Sequence, residues 1–268
     1  MTSPTGNPFA VVTGASSGIG YELARKLAEH GYDLLIVAED EDIELAAANL
    51  RRDGENQVHA VRADLAQYDG VETTWKAIEA TGRDIDALAL NAGRGAGGEF
   101  VGGIPLSDEL DVIAVNVTST VHLAKRALPA MVARKQGRVL LTSSIASMMP
   151  GTYQAVYNAS KSFVQSFAEA LRAELKDTGV TVTALMPGPT DTNFFHRADM
   201  DDTRVGAGSK DDPAVVAEQG VSALLDGKEK VTGGSLKTKA QATASKVMPD
   251  AVKAEMHRRM AEPGSASD

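Results

Sequence analysis

The 268-residue chain has no cysteine, so disulfides, thiolate nucleophiles and cysteine-ligated metal sites are excluded. Histidine is sparse: His30, His59, His122, His196 and His257 are the full set, and none stands at a metal-ligand spacing such as HExxH. No metal site is expected. No apolar run approaches the roughly 18–20 residues needed to cross a membrane. The Ser/Thr/Pro-rich start lacks the charged-then-apolar order of a signal peptide. A cationic surplus is missing too. The formal net charge is −9, which argues against nucleic acid as the main partner, because phosphate binding needs a basic footprint. A cytoplasmic protein that acts on a small molecule, with no membrane and no nucleic acid partner, is the expectation.

The rest is ordinary globular material, with 43% hydrophobic and 24% charged residues. A chain of this length suits one large α/β domain, 1–268. Short β-rich runs, mostly continuous in apolar character, are Phe9–Thr13, Leu34–Val37, Val58–Arg62, Ala87–Leu90, Val139–Thr142 and Val180–Met186. Such continuity is what a parallel sheet covered on both faces requires. Helical patterns alternate with them: Tyr21–His30, Ile43–Arg52, Val71–Ala80 and Phe163–Leu175. In the last, Phe163, Phe167, Leu171 and Leu175 predict one buried stripe. Repeated βα units imply right-handed crossovers and a doubly wound, Rossmann-type sheet, with the site beyond the carboxyl ends of the strands.

Two regions break the rhythm. The polar, glycine-containing stretch Phe194–Asp212 suits a mobile substrate loop. Gly233–Asp268 is basic, then ends in a Pro/Gly/Ser tail expected to be flexible from about 261. Within it, Met248, Val252, Met256 and Met260 fall at helical spacing over Val247–Met260 and predict core or interface packing.

The chemistry starts at TGASSGIG, Thr13 to Gly20, after the first strand. Gly14, Gly18 and Gly20 permit a tight turn and close backbone approach to a pyrophosphate at the following helix N-terminus. Ser16, Ser17 and Ile19 complete the candidate phosphate turn. Further candidates sit at successive strand ends: Glu39 beside Asp40, where an acid can accept from a ribose hydroxyl, then Asp64, then Asn91-Ala92-Gly93. Pro187-Gly188 ends the sixth strand, with Thr190 and Thr192 beyond it as further cofactor-binding candidates; Thr192 is able to hold a carboxamide.

Tyr157 and Lys161 stand four residues apart on one helix face. A phenol titrates near 10, too high for neutral proton transfer. A nearby ammonium is expected to lower it, making the pair an acid/base for a carbonyl or alcohol oxygen. Ser144 follows the fifth strand and can hydrogen-bond the reacting oxygen, with Ser143 as the alternative. Asn116 lies in the otherwise apolar run Val112–Leu123, where an amide needs partners.

The glycine turn, Asn91-Ala92-Gly93, Asn116, Ser144, Tyr157-x-x-x-Lys161 and Pro187-Gly188 together resemble the short-chain dehydrogenase/reductase family, in order and spacing over about residues 8–195. The resemblance implies about seven strands, the last near Lys230–Thr232, and a catalytic tetrad of Asn116, Ser144, Tyr157 and Lys161. By the same resemblance tyrosine is the acid/base and serine orients the substrate. Lysine holds the nicotinamide ribose and lowers the tyrosine pKa, while asparagine anchors a relay water. Asp64 and Leu65 approach the adenine and Thr192 the carboxamide. A homodimer or homotetramer is implied as well.

The expected function is hydride transfer between a nicotinamide cofactor and a secondary alcohol or ketone. A 3-oxoacyl-thioester reductase is the alternative within enzymes, with Lys237, Lys239 and Lys246 as a candidate basic entrance. A non-catalytic NAD(P)-binding regulator is the alternative outside them. Members that prefer NADP often carry arginine just after the second strand. Here Ala38-Glu39-Asp40 would repel a 2′-phosphate, so NAD is expected, with NADP as the alternative. Gly95–Gly103 is unusually glycine-rich and reads first as a flexible surface loop, and second as part of the substrate entrance.

Overall fold

The computed structural model describes residues 6–52, 56–245 and 248–267. From the N-terminus the chain runs β1 (Phe9–Thr13), α1 (Gly18–Glu29), β2 (Asp33–Ala38), α2 (Asp42–Arg52), β3 (Val58–Arg62), α3 (Tyr68–Ala80) and β4 (Ala87–Leu90). There follow α4 (Leu106–Ile113), a π-helical turn (Ala114–Thr118), α5 (Ser119–Ala133), β5 (Gly137–Thr142), a 3₁₀ turn (Ile145–Met148), α6 (Ala155–Glu174) and β6 (Val180–Pro187). The last third holds α7 (Phe194–Arg197), α8 (Arg204–Ala207), α9 (Pro213–Leu225), β7 (Lys230–Gly233), α10 (Leu236–Ser245), α11 (Asp250–Ala261) and a short 3₁₀ turn, Ser265–Ser267.

The strands form one seven-stranded sheet in the order β3-β2-β1-β4-β5-β6-β7, every pair parallel. β1, β2 and β4 are buried at every residue, which a parallel sheet needs because helices cover both faces. One face packs on α1, α2 and α9 through residues such as Leu23, Ile43 and Val221. The other packs on α3, α5 and α6 through Val71, Leu123 and Val164. The chain reverses its winding between β1 and β4, which opens the crevice at the strands' carboxyl ends.

Several details depart from the sequence pattern. The stripe on α6 is not buried as a unit: Phe163 is 41% exposed, and the buried face is carried by Val164 and Ala168. Phe167, Leu171 and Leu175 are half-covered at its edge. The period was right, but the face was rotated, because the polar Tyr157 and Lys161 take the inward line at the start of the helix. The segment 194–212 is not simply irregular, since α7 and α8 fold within it and bury Phe195 and Met200. Of the Met/Val line after Gly233, Val247 and also Lys246 lie outside the described residues. The helix itself starts at Asp250, exposes Val252 and Met256, and buries His257 and Ala261.

Residues 261–267 are held in place: Gly264 N donates to Asp202 Oδ2 at 2.7 Å and Ala266 N to Asp202 O at 2.8 Å. Ser265 Oγ accepts from Arg204 N at 3.1 Å. Their small polar composition reads as a tail, but Asp202 and Arg204, at the start of α8, supply partners that only folding brings near. The glycine-rich loop is also more than a surface feature. A Cβ at Gly95 would meet Phe194 Cζ at 2.5 Å and one at Gly97 would meet Met200 Cγ at 2.3 Å. Gly97 N donates to Ala198 O and Gly98 N to Tyr153 O, both at 2.9 Å. The loop needs glycine because α7 and the turn before α6 press directly on its backbone.

Candidate active site

At the β1–α1 turn, Gly14 and Gly18 adopt φ of +65° and +56°, a region that side chains disfavour. Gly20 is required for a different reason: a Cβ there would lie 1.9 Å from Gly14 O. The N-cap Ser17 makes no side-chain capping bond, and no acid sits in the first turn of α1. The amides of that turn are therefore left for an anion. Asn91 braces this turn. Its Nδ2 donates to Thr13 O at 3.2 Å, and its Oδ1 accepts from Thr142 Oγ1 at 3.1 Å. Thr13 Oγ1 in turn accepts from the backbone N–H groups of Asn91 and Ala92, both at 3.0 Å. Three strand ends are thus locked together, with Thr13 a bracing residue that sequence reading passed over.

Across the crevice, α6 carries Tyr157 and Lys161, both buried. Lys161 Nζ donates to Thr142 O at 2.9 Å and lies 5.9 Å from the Tyr157 ring centre. Burial pushes the phenol up to about 12, opposed by a hydrogen-bonding interaction with Ser144. Burial also pushes the ammonium down to about 8. In the protein alone the net direction for the phenol is therefore upward, against the lowering expected from the neighbouring lysine, because burial disfavours the phenolate. Ser143 is not the partner of Tyr157, since its hydroxyl donates to Lys161 O at 3.1 Å. Ser144 caps the 3₁₀ turn by accepting from Ala146 N at 3.1 Å.

Asn116 sits in the π-helical turn between α4 and α5, a local irregularity common at functional sites. Its Nδ2 donates to Arg94 O at 3.0 Å and Ser160 Oγ at 2.9 Å, and its Oδ1 accepts from Arg94 N at 2.8 Å. Both amide hydrogens are consumed by protein groups. Asn116 therefore braces the site from behind and is not in its wall.

One cavity of about 540 Å³ joins these parts. Its phosphate end is formed by the glycine turn, Gly14, Ser16, Ser17, Gly18, Ile19 and Gly20. Glu39, Asp64 and Leu65 wall the next stretch, then Asn91, Ala92 and Gly93. Ser144, Tyr157 and Lys161 follow, opposite Pro187, Gly188, Thr190 and Thr192. Every expected site residue except Asn116 therefore meets in one crevice. Thr192 also explains a glycine, because a Cβ on Gly18 would stand 2.8 Å from Thr192 Cγ2. An extended dinucleotide fits this wall: free helix amides at one end, backbone made bare by glycine along it, and the Tyr157–Lys161 pair at the other.

Some wall residues escaped sequence reading. Gln154 precedes Tyr157 by three positions, a clue that local spacing offered. Arg197, Gln241, His257 and Met260 come from α7, α10 and α11, which no motif marks. Arg197 Nη2 reaches Asp40 Oδ2 at 3.3 Å, and Ser16 Oγ donates to the same oxygen at 3.0 Å. Among the described residues no cluster of metal-ligating side chains occurs, and no helix is long and apolar enough to cross a membrane.

A parallel sheet with a glycine turn, a buried Tyr–Lys pair and an adjoining serine defines a nicotinamide-dependent oxidoreductase. The chain belongs to the short chain dehydrogenase family, whose model matches residues 8–203, and acts on CH–OH or keto groups with NAD or NADP. It is 38% identical over 208 residues to a monensin polyketide synthase putative ketoacyl reductase of Streptomyces virginiae, covering 74% of this chain and 76% of that one. A short-chain dehydrogenase from Sphingobium yanoikuyae in complex with NADPH superposes with a TM-score of 0.76 at 28% identity, covering 84% of this chain and 87% of the other. Actinorhodin polyketide ketoreductase with NADPH gives 0.74 at 30%, covering 85% and 96%.

Proposed function

We propose that the protein interconverts a ketone and a secondary alcohol, with NAD(H) as the preferred cofactor and Tyr157 exchanging the proton with the substrate oxygen. The observation that carries this reading is the buried Tyr157–Lys161–Ser144 group at one end of the cavity whose other end is the glycine turn. When bound, the nicotinamide supplies or accepts the hydride.

The chain's own residues manage the rest. Ser144 orients the substrate oxygen toward the phenol. Tyr157, held protonated by burial, gives its proton to that oxygen during reduction. Lys161, anchored on Thr142 O, has ammonium hydrogens left for the nicotinamide ribose. Its charge becomes effective for the phenolate as the site fills and water is excluded. Asn116, through Ser160, sets the height of the tyrosine turn. Asp64 and Leu65 would face the adenine, and Thr192 the carboxamide.

Cofactor preference follows from charge at the end of β2. Of four consecutive acids, Glu39 to Asp42, Glu41 pairs with Arg62 and Asp40 with Arg197; the acidic run keeps a negative surplus that disfavours a 2′-phosphate. The structural relatives solved with NADPH make this a sharp test. Fluorescence titration should show tighter NADH than NADPH binding, and the reverse order overturns the preference. Tyr157→Phe should reduce turnover of a ketone panel by about 10²–10⁴-fold while NADH still binds. Unchanged turnover would overturn the role given to Tyr157, whereas a biological role left intact by the substitution would favour the regulator reading.

The ketoacyl reductase relatives favour a second reading, reduction of a 3-oxoacyl thioester, for which exposed Lys237 and Lys239 could form the entrance. An acetoacetyl thioester that outperforms simple ketones would select it. Oligomerisation belongs to the same reading. Leu106, Leu110 and Ile113 on α4 and Phe163 on α6 are exposed apolar side chains suited to a homodimer or homotetramer contact. A cytoplasmic location completes it.

A further inference from the structure

Beyond Tyr157 and Ser144, the substrate end of the cavity is walled largely by apolar groups, among them Met149, Phe195, Val205 and Met260. Polar side chains interrupt it, among them His257 and Gln154. His257, on α11, is 5% exposed, and its Nδ1 lies 2.8 Å from Thr152 O. A carbonyl oxygen only accepts, so Nδ1 carries the hydrogen. Burial pushes the imidazole below its ordinary pKa, so the ring is neutral and Nε2, on its opposite edge, is a bare acceptor. Nε2 has no partner among the described residues.

Gln154 is also 5% exposed, and its buried Nε2, a donor, has no partner either. It stands two residues after Thr152, so its Cα is within about 7 Å of the residue that anchors His257. An unpaired donor and an unpaired acceptor in one apolar wall match a group that both accepts and donates. A hydroxyl does both. A carboxylate would meet the lone pair of His257, and a methyl would leave both groups unpaired.

We propose that His257 and Gln154 form a hydroxyl-recognising subsite, so that the preferred substrate is an apolar ketone or secondary alcohol bearing a second hydroxyl away from the reacting carbon. The hydroxyl donates to His257 Nε2 and accepts from Gln154 Nε2, and α11 thereby selects substrate through a helix that carries no catalytic group. This deepens, and rests on, the ketone/alcohol reading above.

The test uses the full chain with NADH and a matched series, 2-decanone and its 6-, 7- and 8-hydroxy derivatives. In wild type, at least one hydroxyketone should exceed 2-decanone about tenfold in kcat/KM, expressed mainly in KM. His257→Asn keeps a donor for Thr152 O but removes the distal acceptor, and should bring that ratio close to one. Gln154→Leu should do the same, and His257→Gln, which restores a distal acceptor, should recover part of it. A role confined to folding would lower both substrates together and leave the ratio in place, which overturns the proposal. Calorimetric binding of 2-decanol and the corresponding diols to the NAD⁺-loaded protein reads the subsite without turnover. A hydroxyl preference in binding with no turnover would count against the proposed reaction and for the subsite. Equal binding, or binding of neither, overturns the subsite.

Discussion

Asn116 Nδ2 donates to Ser160 Oγ at 2.9 Å, and Ser160 Oγ donates onward to Tyr157 O at 2.6 Å. The amide also clamps both backbone groups of Arg94, so the loop after β4, the π-helical turn and the start of α6 share one buried polar node. Replacing Asn116 with leucine would leave Arg94 N, Arg94 O and Ser160 short of partners, at about 1–3 kcal/mol for each buried unsatisfied group. Urea unfolding of Asn116→Leu should show a total loss of about 3 kcal/mol or more. Ser160→Ala removes one link and should lose about 1 kcal/mol, with kcat reduced more than cofactor affinity.

Arg197 joins α7 to Asp40 at the end of β2, tying the substrate loop to the ribose end of the cavity. The pair is part-exposed, so Arg197→Ala should change stability by less than about 1 kcal/mol. Its effect should appear in stopped-flow release of NADH, which should quicken several-fold. Glu39→Arg, which reverses a charge in the acidic run, should shift the NADH/NADPH preference toward NADPH by about tenfold or more, read as the ratio of kcat/KM values.

Gly20 offers a geometric test. A methyl there would overlap Gly14 O, which is backbone and cannot swing aside. Gly20→Ala should therefore cost about 2 kcal/mol or more and abolish measurable NADH binding. Gly31→Ala is the control. That glycine has φ of +82° but nothing within 4 Å of an added Cβ, so it should cost only the modest strain of its backbone and leave NADH binding intact.

Buried Lys161 gives stability a signed pH dependence. Its ordinary pKa of 10.5 falls to about 8 in the folded protein. Between those values the unfolded chain holds a proton that the native state lacks, so stability contributed by this group rises with pH. Tyr157, raised to about 12, acts in the opposite sense only above its ordinary 10. From pH 8 to 10, wild type should therefore gain roughly 2 kcal/mol relative to Lys161→Met, measured by denaturant unfolding of both proteins without cofactor.

Much of this was legible in the linear chain. The apolar runs at Phe9–Thr13 and Ala87–Leu90 coincide with observed strands, because a strand buried on both faces must be apolar at every position; Val58–Arg62 coincides as well, although this edge strand buries only Val58. The glycine turn, Tyr157-x-x-x-Lys161 and the serine thirteen residues earlier were equally visible, since each is a local spacing with a local geometric reason. The orientation of α6 was less so: periodicity gives a stripe but not the neighbour that covers it.

Sequence by itself determined the parallel sheet, the glycine turn and the Tyr157–Lys161 pair proposed as the proton-transfer group, because these depend on residue type and short-range spacing. Tertiary structure alone decided the state of that group, since burial drives Tyr157 upward where the adjacent lysine suggested the reverse. It also decided that Asn116 serves as a brace, that Gly95 and Gly97 make room for Phe194 and Met200, and that His257 closes the cavity 100 residues after Tyr157. Desolvation and steric approach depend on what the rest of the chain brings near, and one-dimensional spacing carries no record of it.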